Sequence, residues 1–296
     1  MKKNRSRLIK LILVVIFLLI ISVIKDRLWN LIFPKKINQP FSTVKIESIK
    51  EIELTNENKT INLYKKNGSW LLKKDSTEYK ADEERINKIT AALISLVKDE
   101  VVSKNKGRHR ELGIINNKIV FKGDKQYRLY IGNVAGIDKN YLRINNETDV
   151  FAGSGLSDIF SPFDYRDLNI NFIGDEADVH LFEISYNGNS VSMEKKKNKW
   201  FLTGGRQAKK DRVDFFLNDL KTLKANDILP KDTAFPYYPE LTIKVKINNK
   251  VSTAEFFPVA DGKESYYLKT STADFIFQLP AVYVSSLKKE GEDFSE

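Results

Sequence analysis

Cysteine is absent from this chain, and histidine occurs only twice, as His109 and His180. The first absence excludes a disulfide framework, thiolate metal sites, a cysteine nucleophile and a lipid-modified cysteine together. It leaves the redox compartment open. The second leaves a histidine-based triad few ways to form. Also missing is a phosphate-loop lysine or dinucleotide pattern around the glycines of Gly132–Gly136 and Gly153-Ser154-Gly155, which therefore read as turns. Ser103-x-x-Lys106 and Ser285-x-x-Lys288 have the spacing of a serine–lysine pair but lack the companion Ser-Asp-Asn and Lys-Thr-Gly elements, so they are assigned to structure. Net positive charge is scarce outside one region. Residues 1–36 hold nine basic side chains against the single acid Asp26, a net of +8 that leaves only +2 of the total +10 for the remaining residues. A nearly balanced body lacks the footprint that phosphate-backbone binding requires, and nucleic acid is set aside.

What the chain does have is enough apolar material for two ordinary cores: 42% hydrophobic and 11% aromatic over 296 residues. Leu8–Ile24 is apolar apart from Lys10 and Ser22 and follows a strongly basic start. It reads as a membrane-directing helix with no polar face. The uninterrupted part, Leu11–Ile24, would rise about 21 Å, short of a hydrocarbon core of roughly 30 Å unless Lys10 snorkels. Leu28–Phe33 resumes the apolar character, with Trp29 suited to the headgroup level. No small-x-small cleavage site follows the run, so an uncleaved signal anchor is expected. Five basic residues precede it and four follow, diluted by Asp26, which places the N-terminus in the cytoplasm and the rest outside.

One stretch occurs twice. Ile52–Trp70 aligns without a gap on Phe182–Trp200, with Ile52 on Phe182, Leu54 on Ile184, Leu63 on Met193 and Trp70 on Trp200 at a common offset of 130. In the first copy, alternation at Ile52/Leu54 and Ile61/Leu63 and the Asn67-Gly68 turn predict a three-strand meander. Asp82 then caps a predicted helix with apolar positions Ile86, Ile89, Leu93 and Leu96. Further strands are expected around 118–121, 127–131, 141–144 and 149–151, and a short closing helix over 156–163. The helical stripe returns as Val213, Phe216, Leu220 and Leu223 at an offset of 127, and Tyr141-Leu142-Arg143 returns as Tyr267-Leu268-Lys269 at 126. Offsets that drift only at loops indicate a duplicated domain, too long for a solenoid unit. The fold class expected is α+β, with one transmembrane helix and two tandem antiparallel domains. The divisions are 1–36 anchor, 37–43 linker, 44–168 first repeat, 169–177 linker, 178–290 second repeat and 291–296 tail.

The hairpin ending in Trp70, the Ala81-Asp82 helix start, Leu112-Gly113-Ile114, Ile131-Gly132, Tyr141-Leu142-Arg143 with Val150-Phe151, and Tyr165-Arg166-Asp167-Leu168 carry a family likeness. Together they resemble the bacterial family called domain of unknown function 4340 over most of residues 44–290. The second copy departs from the pattern: Lys209 replaces the helix-starting Asp82, and no glycine matches Gly113 or Gly132. The resemblance implies no catalytic motif. It implies a membrane-anchored bacterial envelope protein, accessory to ABC-type export or gliding-type transport systems.

Candidate sites are few. Asp175, Glu176, Asp178 and His180 form the best metal-like cluster, since Asp178 and His180 on a strand would share a face. The same residues read as an acidic linker running into a strand, and no metal or cofactor is assigned. His109, within the basic run Lys104–Arg110, reads as a solvated loop residue. Trp70 and Trp200 could stack on a sugar or peptide, but their equivalent places in two copies favour a core role. Phe235-Pro236-Tyr237-Tyr238-Pro239, with Tyr266 and Tyr267, reads equally as a stiffened contact surface or as a loop packed down on its domain. Tyr237, Tyr238, Tyr266 and Tyr267 are accordingly the candidate ligand- or partner-binding residues. The function expected is a non-enzymatic accessory or scaffold protein at the bacterial cytoplasmic membrane. It would meet the lipid bilayer through Leu8–Ile24 and dock on a membrane protein complex; the alternative is an envelope module binding sugar or peptide.

Overall fold

The computed structural model describes residues 38–156, 158–175, 178–236, 238–259 and 264–295. The expected membrane helix Leu8–Ile24 lies outside the described residues. Among the described residues no helix is long and apolar enough to cross a membrane. The chain divides into two compact units between Arg166 and Asp167.

Unit 1 contains β1 (Glu51–Asn56), β2 (Lys59–Lys66), β3 (Ser69–Lys74), β4 (Thr77–Lys80), α1 (Glu83–Ser95), β5 (Val101–Ser103), β6 (Lys118–Lys122), β7 (Gln126–Gly136), β8 (Lys139–Ile144) and β9 (Val150–Ser154). They form one antiparallel sheet in the order β4-β3-β2-β1-β6-β7-β8-β9-β5. Alternation along each strand sends one set of side chains inward, and the register aligns those sets across strands. Tyr79, Leu72, Leu63, Ile52 and Phe121 thus form one buried row, each the cross-strand partner of the next. Burying each such side chain stabilises the fold by about 1.5–3 kcal/mol. The Asn67-Gly68 turn joining β2 to β3 has positive φ at both residues, 52° and 87°, which matches the twist of the strands it connects.

The connection between the two edges of the sheet carries α1. Asp82 caps it by accepting the Arg85 N–H at 3.0 Å, and Ile86, Ile89 and Leu93 bury the predicted stripe with Leu96 just beyond the last turn. A close approach explains two of the glycines in the sequence pattern. A Cβ on Gly132 would lie 2.2 Å from the Leu112 carbonyl oxygen, and one on Gly113, at φ 73°, would lie 2.4 Å from the Asn133 side-chain oxygen. The bare backbones let Asn133 N–H reach the Leu112 carbonyl at 2.9 Å.

Unit 2 contains β10 (Val179–Tyr186), β11 (Asn189–Lys196), β12 (Lys199–Leu202), α2 (Lys210–Lys221), β13 (Asp227–Leu229), β14 (Leu241–Ile247), β15 (Lys250–Pro258), β16 (Ser265–Thr270), β17 (Ile276–Pro280) and α3 (Ala281–Leu287). Its order, β12-β11-β10-β14-β15-β16-β17-β13, is that of unit 1 without the edge strand β4. In place of β4 the chain makes a single bridge, Phe201 to Gln207. Lys209 begins α2 without a side-chain cap, as its replacement of Asp82 implies.

Both units close in the same way. In unit 1 the Ala81 N–H donates to the Trp70 carbonyl at 2.9 Å, and the Asp82 N–H to the Tyr165 carbonyl at 2.8 Å. In unit 2 Ala208 donates to Trp200 at 2.8 Å and Lys209 to Phe294 at 2.9 Å. Tyr165 and Phe294 are both buried. Phe294 meets Phe182 and Phe216 edge-on or tilted, so residues 291–296, set apart as a tail in the sequence, include a core side chain. The stretches expected to be linkers likewise hold buried residues: Phe41, edge-on to Phe121, and Ile170, Phe172 and Ile173. The helix expected over 156–163 is not found in its described residues. Asp158–Phe160 form a turn instead, because Pro162 brings no N–H to continue a helix.

Arg166, itself buried, holds Asp164 through Nε and Nη2 and closes unit 1 beside Tyr79. Arg85 lies over the Tyr165 ring at 4.2 Å and donates to the backbone carbonyls of Asp164 and Pro162. The Tyr165 hydroxyl donates to the Ile159 carbonyl at 2.6 Å, and burial pushes its phenol from 10.0 up to about 12. Tyr165→Phe should therefore lower stability at neutral pH by about 1 kcal/mol, because the Ile159 carbonyl loses its donor. A raised folded value keeps the tyrosine's contribution intact below the unfolded value and removes it as pH rises through the folded one. The advantage of wild type over Tyr165→Phe should therefore shrink as pH rises above 10 and reverse before about 12. Urea unfolding of both proteins across that range tests this; a gap that stays constant would contradict a buried, neutral Tyr165.

Candidate functional site

The four candidate tyrosines do not converge. Tyr237 lies outside the described residues. Tyr238 is 86% exposed, on a loop that Phe235 pins to Phe257 with ring centroids 4.5 Å apart. The loop is thus both packed down and partly presented. Tyr266 and Tyr267 are neighbours on β16, where adjacent side chains face opposite sides of the sheet. Tyr266 falls in the core row with Leu268 and Thr270, which corrects its assignment as an open contact residue. Tyr267 is half-buried on the other face, paired across to Phe257 and Gln278.

The Tyr266 hydroxyl is occupied. It donates to Glu240 Oε1 at 3.2 Å, and Lys288 Nζ donates to the same oxygen at 2.6 Å, with both charged side chains 19% exposed. Burial, the largest single influence, works to lower the Lys288 ammonium; the hydrogen bonds and charges of Glu240 and Tyr266 outweigh it and hold the group above the ordinary lysine range. This also accounts for Lys288 of the Ser285-x-x-Lys288 match, whose ammonium is bonded to Glu240.

A cavity of about 1080 Å³ opens elsewhere in unit 2, beside the first turn of α2. Trp200, a buried core residue as its repeat position implies, reaches its wall. Lys199, Arg206, Lys209 and Lys210 line it together with Asp211 and Asp214, and Lys210 pairs with Asp214. The cavity borders the edge that β4 covers in unit 1 and that only the Phe201–Gln207 bridge covers here. Its mixed charges could hold a polar ligand.

Asp178 and His180 are exposed, and Glu176 lies outside the described residues. Among the described residues no group of three or more histidine, aspartate or glutamate side chains could hold a metal ion. His109 Nε2 meets the Thr148 carbonyl at 2.9 Å, which ties the basic loop to the β8–β9 turn.

One cluster was missed from sequence. Tyr130 on β7 lies opposite Arg143 on β8, and the Arg143 guanidinium stacks on its ring at 3.7 Å. Burial works to raise the Tyr130 phenol, but hydrogen bonds and charge from Arg143 and Arg128 hold it below its ordinary range. Arg128 and Arg143 each have a buried Nε without a hydrogen-bond partner. Strand parity at Arg128/Tyr130 and Arg143, read with the hairpin register, was the signal that could have found it.

These placements separate the tyrosines by experiment. Tyr238→Ala should change the urea midpoint within the range of a neutral surface substitution, about 0.5 kcal/mol. Glu240→Gln, which leaves Lys288 and the Tyr266 hydroxyl without their shared carboxylate, should cost about 1–3 kcal/mol. Equal effects would contradict the assignment.

No curated protein and no solved structure matches this chain. A family model does match, over residues 70–241, from Trp70 in β3 to Leu241 at the start of β14 and so across the boundary between the units. The span is shorter than the 44–290 over which the likeness was read, and it holds the Ala81-Asp82 helix start, Leu112-Gly113-Ile114, Ile131-Gly132, Tyr141-Leu142-Arg143 with Val150-Phe151, and Tyr165-Arg166-Asp167-Leu168: the chain belongs to the family described as domain of unknown function (DUF4340).

Proposed function

We propose that this protein is a membrane-anchored, extracytoplasmic accessory or scaffold protein of the bacterial cytoplasmic membrane, without catalytic activity of its own. In this reading Leu8–Ile24 crosses the bilayer once with the N-terminus in the cytoplasm, and a duplicated domain pair outside docks on a membrane complex of the ABC transport type. The observation that carries it is the basic start and apolar run of residues 1–24, joined by a short stretch to two units of the same strand order. Family membership supports it through what the resemblance implies. A tether raises the local concentration of the units at the membrane, so weak contacts suffice for docking. A second reading, an envelope ligand-binding module, is favoured by the cavity beside Trp200, whose cationic and anionic lining suits a polar ligand.

Orientation is tested on intact cells by Tyr238→Cys, in a chain with no other cysteine. A membrane-impermeant maleimide should label it, and labelling only after lysis would overturn the outward placement. Docking is tested by brief crosslinking and purification of the full-length protein in mild detergent, against a truncated form that keeps residues 1–43. Stoichiometric recovery of transporter membrane subunits with the full chain alone is expected. Recovery of the same proteins by both forms would overturn the scaffold reading, and saturable binding of a sugar or peptide to the full chain would favour the second.

A further inference from the structure

The hairpin of β7 and β8 carries two apolar side chains into solvent at its tip: Val134 is 75% exposed and Ile137 99%. β7 is 11 residues long, against 5 for β6 and 5 for β9, so the hairpin runs past its neighbours. Its base is fixed by the Gly113/Gly132 approach and by Asn140, whose side-chain amide donates to the Gly132 carbonyl at 3.2 Å. The turn itself is Ile137-Asp138, so the exposed isoleucine stands beside one carboxylate, while residues 133–136 are uncharged. A rigidly based tip with two exposed apolar side chains offers an apolar contact that a covering surface would bury.

Its position in the chain indicates what covers it. Asn38, where the described chain begins, accepts the Lys98 N–H at 2.8 Å. The next residue, Asp99, pairs at 2.7 Å with Lys139, which closes the hairpin against Gly136. Two successive contacts therefore link the tip to the place where the chain joins its N-terminal apolar stretch. Only four residues, Pro34–Ile37, separate Asn38 from Leu28–Phe33, and the five steps from Phe33 to Asn38 span at most about 18 Å. If Leu28–Phe33 lies at the headgroup level, Asn38 and the hairpin lie just above it.

We propose that the Val134–Ile137 tip is a second membrane contact, seated in the interface of the same bilayer that Leu8–Ile24 enters. The inference rests on the anchor reading above. Together the two contacts fix the orientation of unit 1 on the membrane, which a single flexible tether does not.

The absence of cysteine makes the test direct. Ile137→Cys, Ile16→Cys and Val251→Cys, the last an exposed position on β15, are each labelled with an environment-sensitive fluorophore in the full chain. The proteins are reconstituted into phosphatidylcholine–phosphatidylglycerol vesicles bearing spin-labelled lipids. The label at residue 137 should shift its emission to the blue and be quenched by shallow spin labels, that at 16 by deep ones, and that at 251 by neither. Adding Val134→Asp to Ile137→Cys should abolish the quenching at 137 while the far-ultraviolet circular dichroism is unchanged. Quenching at 16 with none at 137 would overturn this inference and leave the anchor standing, the result expected if a protein subunit covers the tip in the cell. Absence of quenching at 16 would overturn the anchor and this inference with it.

Discussion

The fold of each unit depends on two adjacent backbone N–H groups at the start of a helix. In unit 1 these belong to Ala81 and Asp82, in unit 2 to Ala208 and Lys209, and each pair is divided between the tryptophan strand and the unit's last aromatic segment. Helix starts leave their first N–H groups without intrahelical partners, and buried ones must find partners elsewhere. Here the partners come from two ends of the unit at once. The early hairpin and the terminal segment are thereby brought onto the same helix turn, and Tyr165 or Phe294 is carried into the core between them. The side chains around this pairing differ between the units, with Arg166 and Asp164 in one and edge-on phenylalanines in the other. The backbone arrangement does not.

This explains why some of the architecture was legible in sequence and some was not. Strands with long alternating patterns, such as β1, β2 and β11, and helices with capped stripes announced themselves through periodicity. The edge strands β4, β5 and β13 are three or four residues long, too short for a pattern of their own, and are defined by what they pair with. Phe41, Phe172 and Phe294 stand in polar or acidic surroundings in the sequence, and only the closed fold shows that each fills a core position. The helix expected over 156–163 rested on apolar spacing that the turn around Pro162 also satisfies, since Leu156 and Ile159 are buried either way.

The candidate site was less legible than the fold. Four tyrosines read as one aromatic patch because they are close in sequence or in composition, yet strand parity alone sends Tyr266 and Tyr267 to opposite faces. Conversely, Arg128, Tyr130 and Arg143 lie on two strands and converge only through the hairpin register, which no local pattern states. The hairpin tip carried a glycine-rich turn signal, and the exposure of Ile137 followed from the length of β7 relative to its neighbours.

The order in which the closing segments occur has a consequence for how the protein is made. Every strand, helix and closing contact of unit 1 is contributed by residues that precede Asp167. A chain emerging from its N-terminus can complete the first unit, Tyr165-Arg166 included, before the second has begun to appear. Unit 2 must wait for Phe294, so the Lys209 N–H at its helix start stays without its partner until after the last of its strands has been made. During that interval unit 2 is the half exposed to misassembly, while a finished first unit cannot lend it a strand: its own edges are short and its register is already filled.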